Sequence, residues 1–170
     1  MSVHLLDVQP RDVAPDALGL LLHAPAPAAL AETSLRDGRG GLLTLGVLGA
    51  SHVVTATLPG HYLTEQVSCD AVGAGGQELP QHTQLGGYEL TALTREVPRA
   101  EFEETAARLR DLAESSDSWL CGTFPGTGSA MTAMTAGALP AGGWTWESWH
   151  LYPGEVRSSI VTTRSRWALP

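Results

Sequence analysis

Apolar and polar residues alternate with a period of two over much of this chain, the period of β-strands that bury one face. The pattern is clearest from Gly41, where Leu42 to Leu48 and His52 to Leu58 are apolar, β-branched runs around Gly49-Ala50. They predict a hairpin, with Gly49 suited to the positive φ of a type II′ turn. Pro59-Gly60 marks the next turn, and His61 to Cys69 makes a third strand on which Leu63, Glu65, Val67 and Cys69 share a face. Tyr88 to Arg95 follows, with Tyr88, Leu90 and Ala92 on one face and Glu89, Thr91, Leu93 and Arg95 on the other. Trp119 to Cys121, Ala130 to Ala136, Trp144 to Tyr152 and Glu155 to Trp167 continue the series, and Ser2 to Val8, ended by Pro10, precedes it. Pro153-Gly154 joins the last two strands; its preferred type II turn twists against a two-residue hairpin, so a longer loop or a bulge is expected there.

The period changes to 3.6 between Pro98 and Glu114, where Phe102, Ala106, Leu109, Leu112 and Ala113 form one stripe. Pro98 suits the start of a helix, Glu101, Glu103 and Glu104 favour its positive end, and Glu104 with Arg108 has i,i+4 spacing. A short helix is predicted at Pro15 to Leu22, an extended connector at Ala24 to Leu30, and a long glycine-rich loop at Asp70 to Gly87. These elements predict a single domain over residues 1–170 of α+β class: a curved, mainly antiparallel, half-barrel-like sheet packed on one long helix, with a short N-terminal helix. The stripe of Phe102, Ala106, Leu109 and Leu112 is expected to lie on the concave face.

Composition narrows the chemistry. With 170 residues, 43% of them hydrophobic, the chain can bury one substantial core. A formal charge of -8 disfavours nucleic acid and anionic membranes as partners, because both are bound through excess basic charge. All ten basic residues are arginine. The absence of lysine excludes a P-loop, a pyridoxal Schiff base and Ser-x-x-Lys chemistry. Cys69 and Cys121 alone define neither a disulfide framework nor a cysteine zinc site. Met1 to Arg11 has no basic region followed by an apolar stretch, so a cytoplasmic protein is expected.

Candidate chemistry comes from polar residues that interrupt apolar faces. His52 shares its strand face with Val54, Ala56 and Leu58, and Glu65 stands between Leu63 and Val67. Glu147 and His150 have Glu-x-x-His spacing, which on a helix would put two ligands on one side. Trp144, Trp146, Trp149 and Tyr152 argue instead for a strand, where a separation of three puts them on opposite faces, so no metal role is assigned. Gly122 to Ser129 matches neither a dinucleotide fingerprint nor a nucleophile elbow and reads as a turn. Arg157, Arg164 and Arg166 belong in solvent unless one turns inward to a carboxylate or an anion. A buried Glu65 needs a partner, and Arg164, His52 and His150 are the complementary choices. His52, Glu65, Trp149, His150 and Arg164 are therefore the predicted ligand-binding residues, with Trp149 as an apolar floor.

Gly49-Ala50-Ser51-His52, Glu65 with Val67 and Cys69, Phe102 to Leu112, Leu120 to Gly126, and Trp146 through Trp149-His150-Leu151-Tyr152-Pro153 to Glu155 together resemble a largely actinobacterial domain family of unknown function, number 2617. The resemblance implies no activity, cofactor or catalytic residue. Function is thus open among three readings: a small-molecule-binding domain with a mixed aromatic and polar pocket, a small hydrolase using His and Glu as acid and base, and a self-associating interaction module. No cofactor is assigned, and the expected partner is a small molecule.

Overall fold

The computed structural model describes residues 30–48, 51–58, 61–68, 78–81, 88–124 and 129–168. The predicted strand Ser2 to Val8, the short helix Pro15 to Leu22, the Gly49 turn and Cys69 lie outside these residues. Within them the chain forms β1 (Leu30–Arg36), β2 (Leu42–Leu48), β3 (Ser51–Leu58), β4 (His61–Ser68), β5 (Glu78–Gln81), β6 (Tyr88–Val97), α1 (Arg99–Ser115), β7 (Trp119–Gly122), β8 (Met131–Ala138), β9 (Gly143–Tyr152) and β10 (Ser158–Ala168).

The strands divide into two antiparallel sheets, where the sequence pattern suggested one curved, half-barrel-like sheet. One has the meander order β1-β2-β3-β4 and the other the order β5-β6-β10-β9-β8-β7. Their facing sides hold a core of Leu43, Leu45, Val54, Ala56 and Leu63 from the first sheet against Leu90, Met134, Trp144, Trp146 and Trp167 from the second. Alternation alone dictates this: β3 turns His52, Val54 and Ala56 inward, and in β9 Trp144, Trp146, Ser148 and His150 are buried.

The six-stranded sheet also carries an apolar patch on its other side, and this decides where the helix goes. Val97, Met131, Ala133, Leu151 and Ile160 pack there against Ala106 and Leu109, with Phe102, Trp119, Cys121 and Trp149 around them. The helix therefore lies on the side of the six-stranded sheet turned away from the four-stranded one, rather than inside a concave sheet. Its stripe is the one the 3.6 period marked. Pro98 occupies the N-cap, and the i,i+4 ion pair along the helix joins Arg99 to Glu103 at 2.7 Å, not Glu104 to Arg108.

Within the predicted long loop, Glu78 to Gln81 forms an edge strand on β6, and Pro80 is tolerated because an edge strand needs no donor on its outer side. The β9–β10 connection is the long one expected: pairing stops at Ser159 with Tyr152. Gly143 opens β9 with φ +104, and a Cβ there would lie 2.0 Å from the Trp167 carbonyl oxygen, so only glycine lets β9 approach β10 this closely.

Candidate functional site

Three of the five predicted residues come together between the sheets. Val54 pairs with Glu65 across β3 and β4, so His52 and Glu65 are diagonal neighbours on the inward face. His52 Nε2 donates to Glu65 Oε1 at 2.9 Å, and both side chains are 0% exposed. The other ring nitrogen crosses to the second sheet, 3.3 Å from Ser148 Oγ, and Ser148 Oγ lies 2.5 Å from Thr163 Oγ1 on the next strand. His150, two residues along β9, stacks on His52 with ring centres 5.9 Å apart and planes 12° from parallel. Its Nδ1 is 3.0 Å from Thr132 Oγ1, which is 3.0 Å from Ser129 Oγ.

Electrostatics follow from this enclosure. Burial, and secondly the electrostatic influence of neighbouring His52, pushes His150 down to about 3, so His150 is neutral at physiological pH. Ser148, His52 and Glu65 are the residue types of an acyl-transfer triad, with a hydroxyl and a carboxylate on opposite ring nitrogens. A nucleophile must reach its substrate, yet Ser148, His52, Glu65 and His150 are all fully buried. With these side chains wholly buried, the cluster is a polar tie between the two sheets.

Trp149 and Arg164 are not part of this cluster. They occupy the opposite face of the six-stranded sheet, as their parity in β9 and β10 requires. Arg164 sits directly across from Glu147, with Nε 2.8 Å from Oε1. Glu147 and His150 do lie on opposite faces, so the Glu-x-x-His spacing brings no pair of ligands together. Among the described residues no group of three or more His, Cys, Asp or Glu side chains is placed to hold a metal.

On that outer face, beside the helix, lies an open hollow of about 510 Å³ lined by Thr91, Leu93, Arg95, Arg108, Glu147, Trp149, Thr162 and Arg164. The register orders its floor into two cross-strand rows, Leu93–Thr162–Trp149 and Thr91–Arg164–Glu147. Arg95 approaches from the end of β6 and pairs with Glu101 at 3.1 Å. Arg108 reaches in from the helix and has no ion-pair partner among the described residues. Trp149 is held from the side by Trp119, stacked at 5.3 Å and 18°. A second hollow, of about 480 Å³, lies beyond Trp119 and carries Glu32 and Glu114 against Arg110. Its Cys121 thiol is raised by burial, partly offset by Arg110, and stays protonated, so it offers no nucleophile.

Sequence reasoning missed the hydroxyls that complete the buried cluster and the two further arginines of the hollow. Ser148 was legible, since it shares parity with His150. Thr132 and Thr163 were not, because threonine is a common strand residue and carries no signal of its own.

A family model described as a protein of unknown function, DUF2617, matches residues 15–166. The chain belongs to the DUF2617 family. It is 45% identical over 168 residues to uncharacterized proteins of Mycobacterium bovis and Mycobacterium tuberculosis, spanning 98% of this chain and 99% of theirs. No solved structure matches this DUF2617 chain. No helix among its described residues is long and apolar enough to cross a membrane.

Proposed function

We propose that this protein is a small-molecule-binding domain that holds a small organic anion in the hollow beside the helix. The observation that supports it is the convergence of Arg95, Arg108 and Arg164, three of the chain's ten basic residues, around one concavity that also presents Trp149 and two threonine hydroxyls. Three guanidiniums stand there against the single lining carboxylate of Glu147. The overall charge of -8 does not oppose this, because charges beyond about 8 Å are screened at physiological salt and the nearby arginines set the local field. The volume lies within the roughly 300–1,000 Å³ common for ligand pockets.

In this reading Trp149 and Arg164 contact the ligand, whereas His52, Glu65 and His150 join the sheet carrying the hollow to its partner. The partner is a small molecule rather than nucleic acid or a membrane, and a cytoplasmic setting suits the reduced thiol of Cys121. Thermal-shift screening against carboxylates, phosphates and neutral metabolites tests the proposal. Stabilisation by anions that disappears in the Arg108→Gln, Arg164→Gln double variant is expected. A library that leaves the melting temperature unmoved, or stabilisation that survives the double substitution, defeats it.

A further inference from the structure

Resting on the anion-binding reading, we propose that the ligand is an aromatic carboxylate whose ring lies against Trp149 and whose acid group meets Arg108 and Arg164. The two rows of the floor differ in chemistry. Leu93, Thr162 and Trp149 make a mainly apolar strip, and Thr91, Arg164 and Glu147 make a polar one. They are two residues apart along each strand, about 7 Å, so a ligand that satisfies both needs an apolar end and a charged end within the reach of one or two fused rings bearing an acid.

The indole is already fixed for such a ring. Trp119 stacks on it at 5.3 Å and restrains its orientation, so a flat ligand need not order it on binding. Aromatic pairs favour offset or edge-on contact, which a half-buried indole can still offer. The charge balance selects the acid. Arg164 is matched by Glu147 at 2.8 Å and Arg95 by Glu101 at 3.1 Å, which leaves Arg108 as the one lining guanidinium with no ion-pair partner among the described residues. One uncompensated cation suits a monoanion. A phosphate dianion would bring a second negative charge beside Glu147 with no further unpaired lining cation among the described residues to neutralise it. Planar guanidiniums also match the planar, two-oxygen face of a carboxylate.

Isothermal titration of the full chain with 2-naphthoate, octanoate, inorganic phosphate and neutral 2-naphthamide separates the possibilities. Naphthoate should bind about tenfold more tightly than octanoate or phosphate, and Trp149→Leu and Arg108→Gln should each weaken it about tenfold. Because Trp149 packs against Trp119, the exposed Arg108→Gln variant and the shift of the Trp149 indole N–H resonance in the unaltered protein keep the test valid if Trp149→Leu fails to fold. Octanoate or phosphate binding as tightly as naphthoate, with loss on Arg108→Gln alone, overturns the aromatic assignment and leaves the anion site standing. Naphthamide binding equally well, or no probe binding at all, overturns both.

Discussion

The two faces of β9 carry similar residue types to opposite ends. Inward, Ser148 and His150 are wholly buried, each within hydrogen-bond distance of another side chain, and together they bridge the sheets. Outward, Glu147 and Trp149 sit half-buried at the edge of a hollow that the helix leaves uncovered. A polar group committed to a neighbour inside the core stabilises and positions. The same kind of group at the margin of a packed helix keeps part of its surface exposed, as Glu147 does beside Arg164.

The sharpest way to break this contrast is at the buried pair. Glu65→Ala leaves His52 enclosed without its carboxylate and should cost about 3–5 kcal/mol, a large part of a typical stability of about 5–15 kcal/mol, read from the urea midpoint. The double variant His52→Leu, Glu65→Leu should recover most of that loss, since a well-packed apolar pair can replace a buried hydrogen-bonded polar pair. If the single variant unfolds at the unaltered midpoint, the buried His52–Glu65 pair has no energetic weight.

Acid should probe the same face. His150 is pushed from an ordinary 6.5 to about 3, so the unfolded chain takes up its proton first as pH falls. The stability contributed by neutral His150 is complete above pH 6.5 and is lost progressively between 6.5 and 3, at up to about 1.4 kcal/mol per pH unit. Comparing melting temperature against pH for the unaltered protein and His150→Asn should show a shallower acid slope in the variant; parallel curves would exclude this titration.

On the outer face the effects shrink. Trp119→Leu should cost about 1–2 kcal/mol through the lost stack and some packing, and should broaden the Trp149 indole resonance as that ring gains freedom. Arg164→Ala should cost under about 1 kcal/mol, because the Arg164 side chain is 71% exposed and its pairing with Glu147 is largely screened. On the proposed reading its main consequence is for anion binding. A stability loss from Arg164→Ala as large as that from Glu65→Ala would erase the distinction between the faces.

Much of this arrangement was legible in the residues, because strand parity is a local property. It placed His52 and Glu65 inward, separated Glu147 from His150, and set Thr91, Leu93 and Arg95 on one side of β6. The α1 stripe was legible for the same reason. Parity does not say which sheet a strand joins, so the eight of these strands that the pattern marked read as one curved sheet, whereas the described strands, with Leu30–Arg36 and Glu78–Gln81 added, divide four and six. That explains the grouping of Arg164 with the histidines: charge complementarity named a partner for Glu65, while the register put Glu147 directly across from Arg164. The strand at Glu78 to Gln81 was hidden by the glycines around it and by Pro80, which is compatible with pairing only at an edge.

That edge has a bearing on how the molecule behaves in a crowded solution. Both margins of the six-stranded sheet are formed by strands of only four residues, β5 and β7. An extended segment from a neighbouring chain that docked at either margin would find only a few rungs to pair with, and at β5 Pro80 can supply no donor for one of them. Short margins of this kind discourage polymerisation at the edges of this sheet, whose inner strands β6, β9 and β10 run to ten or eleven residues.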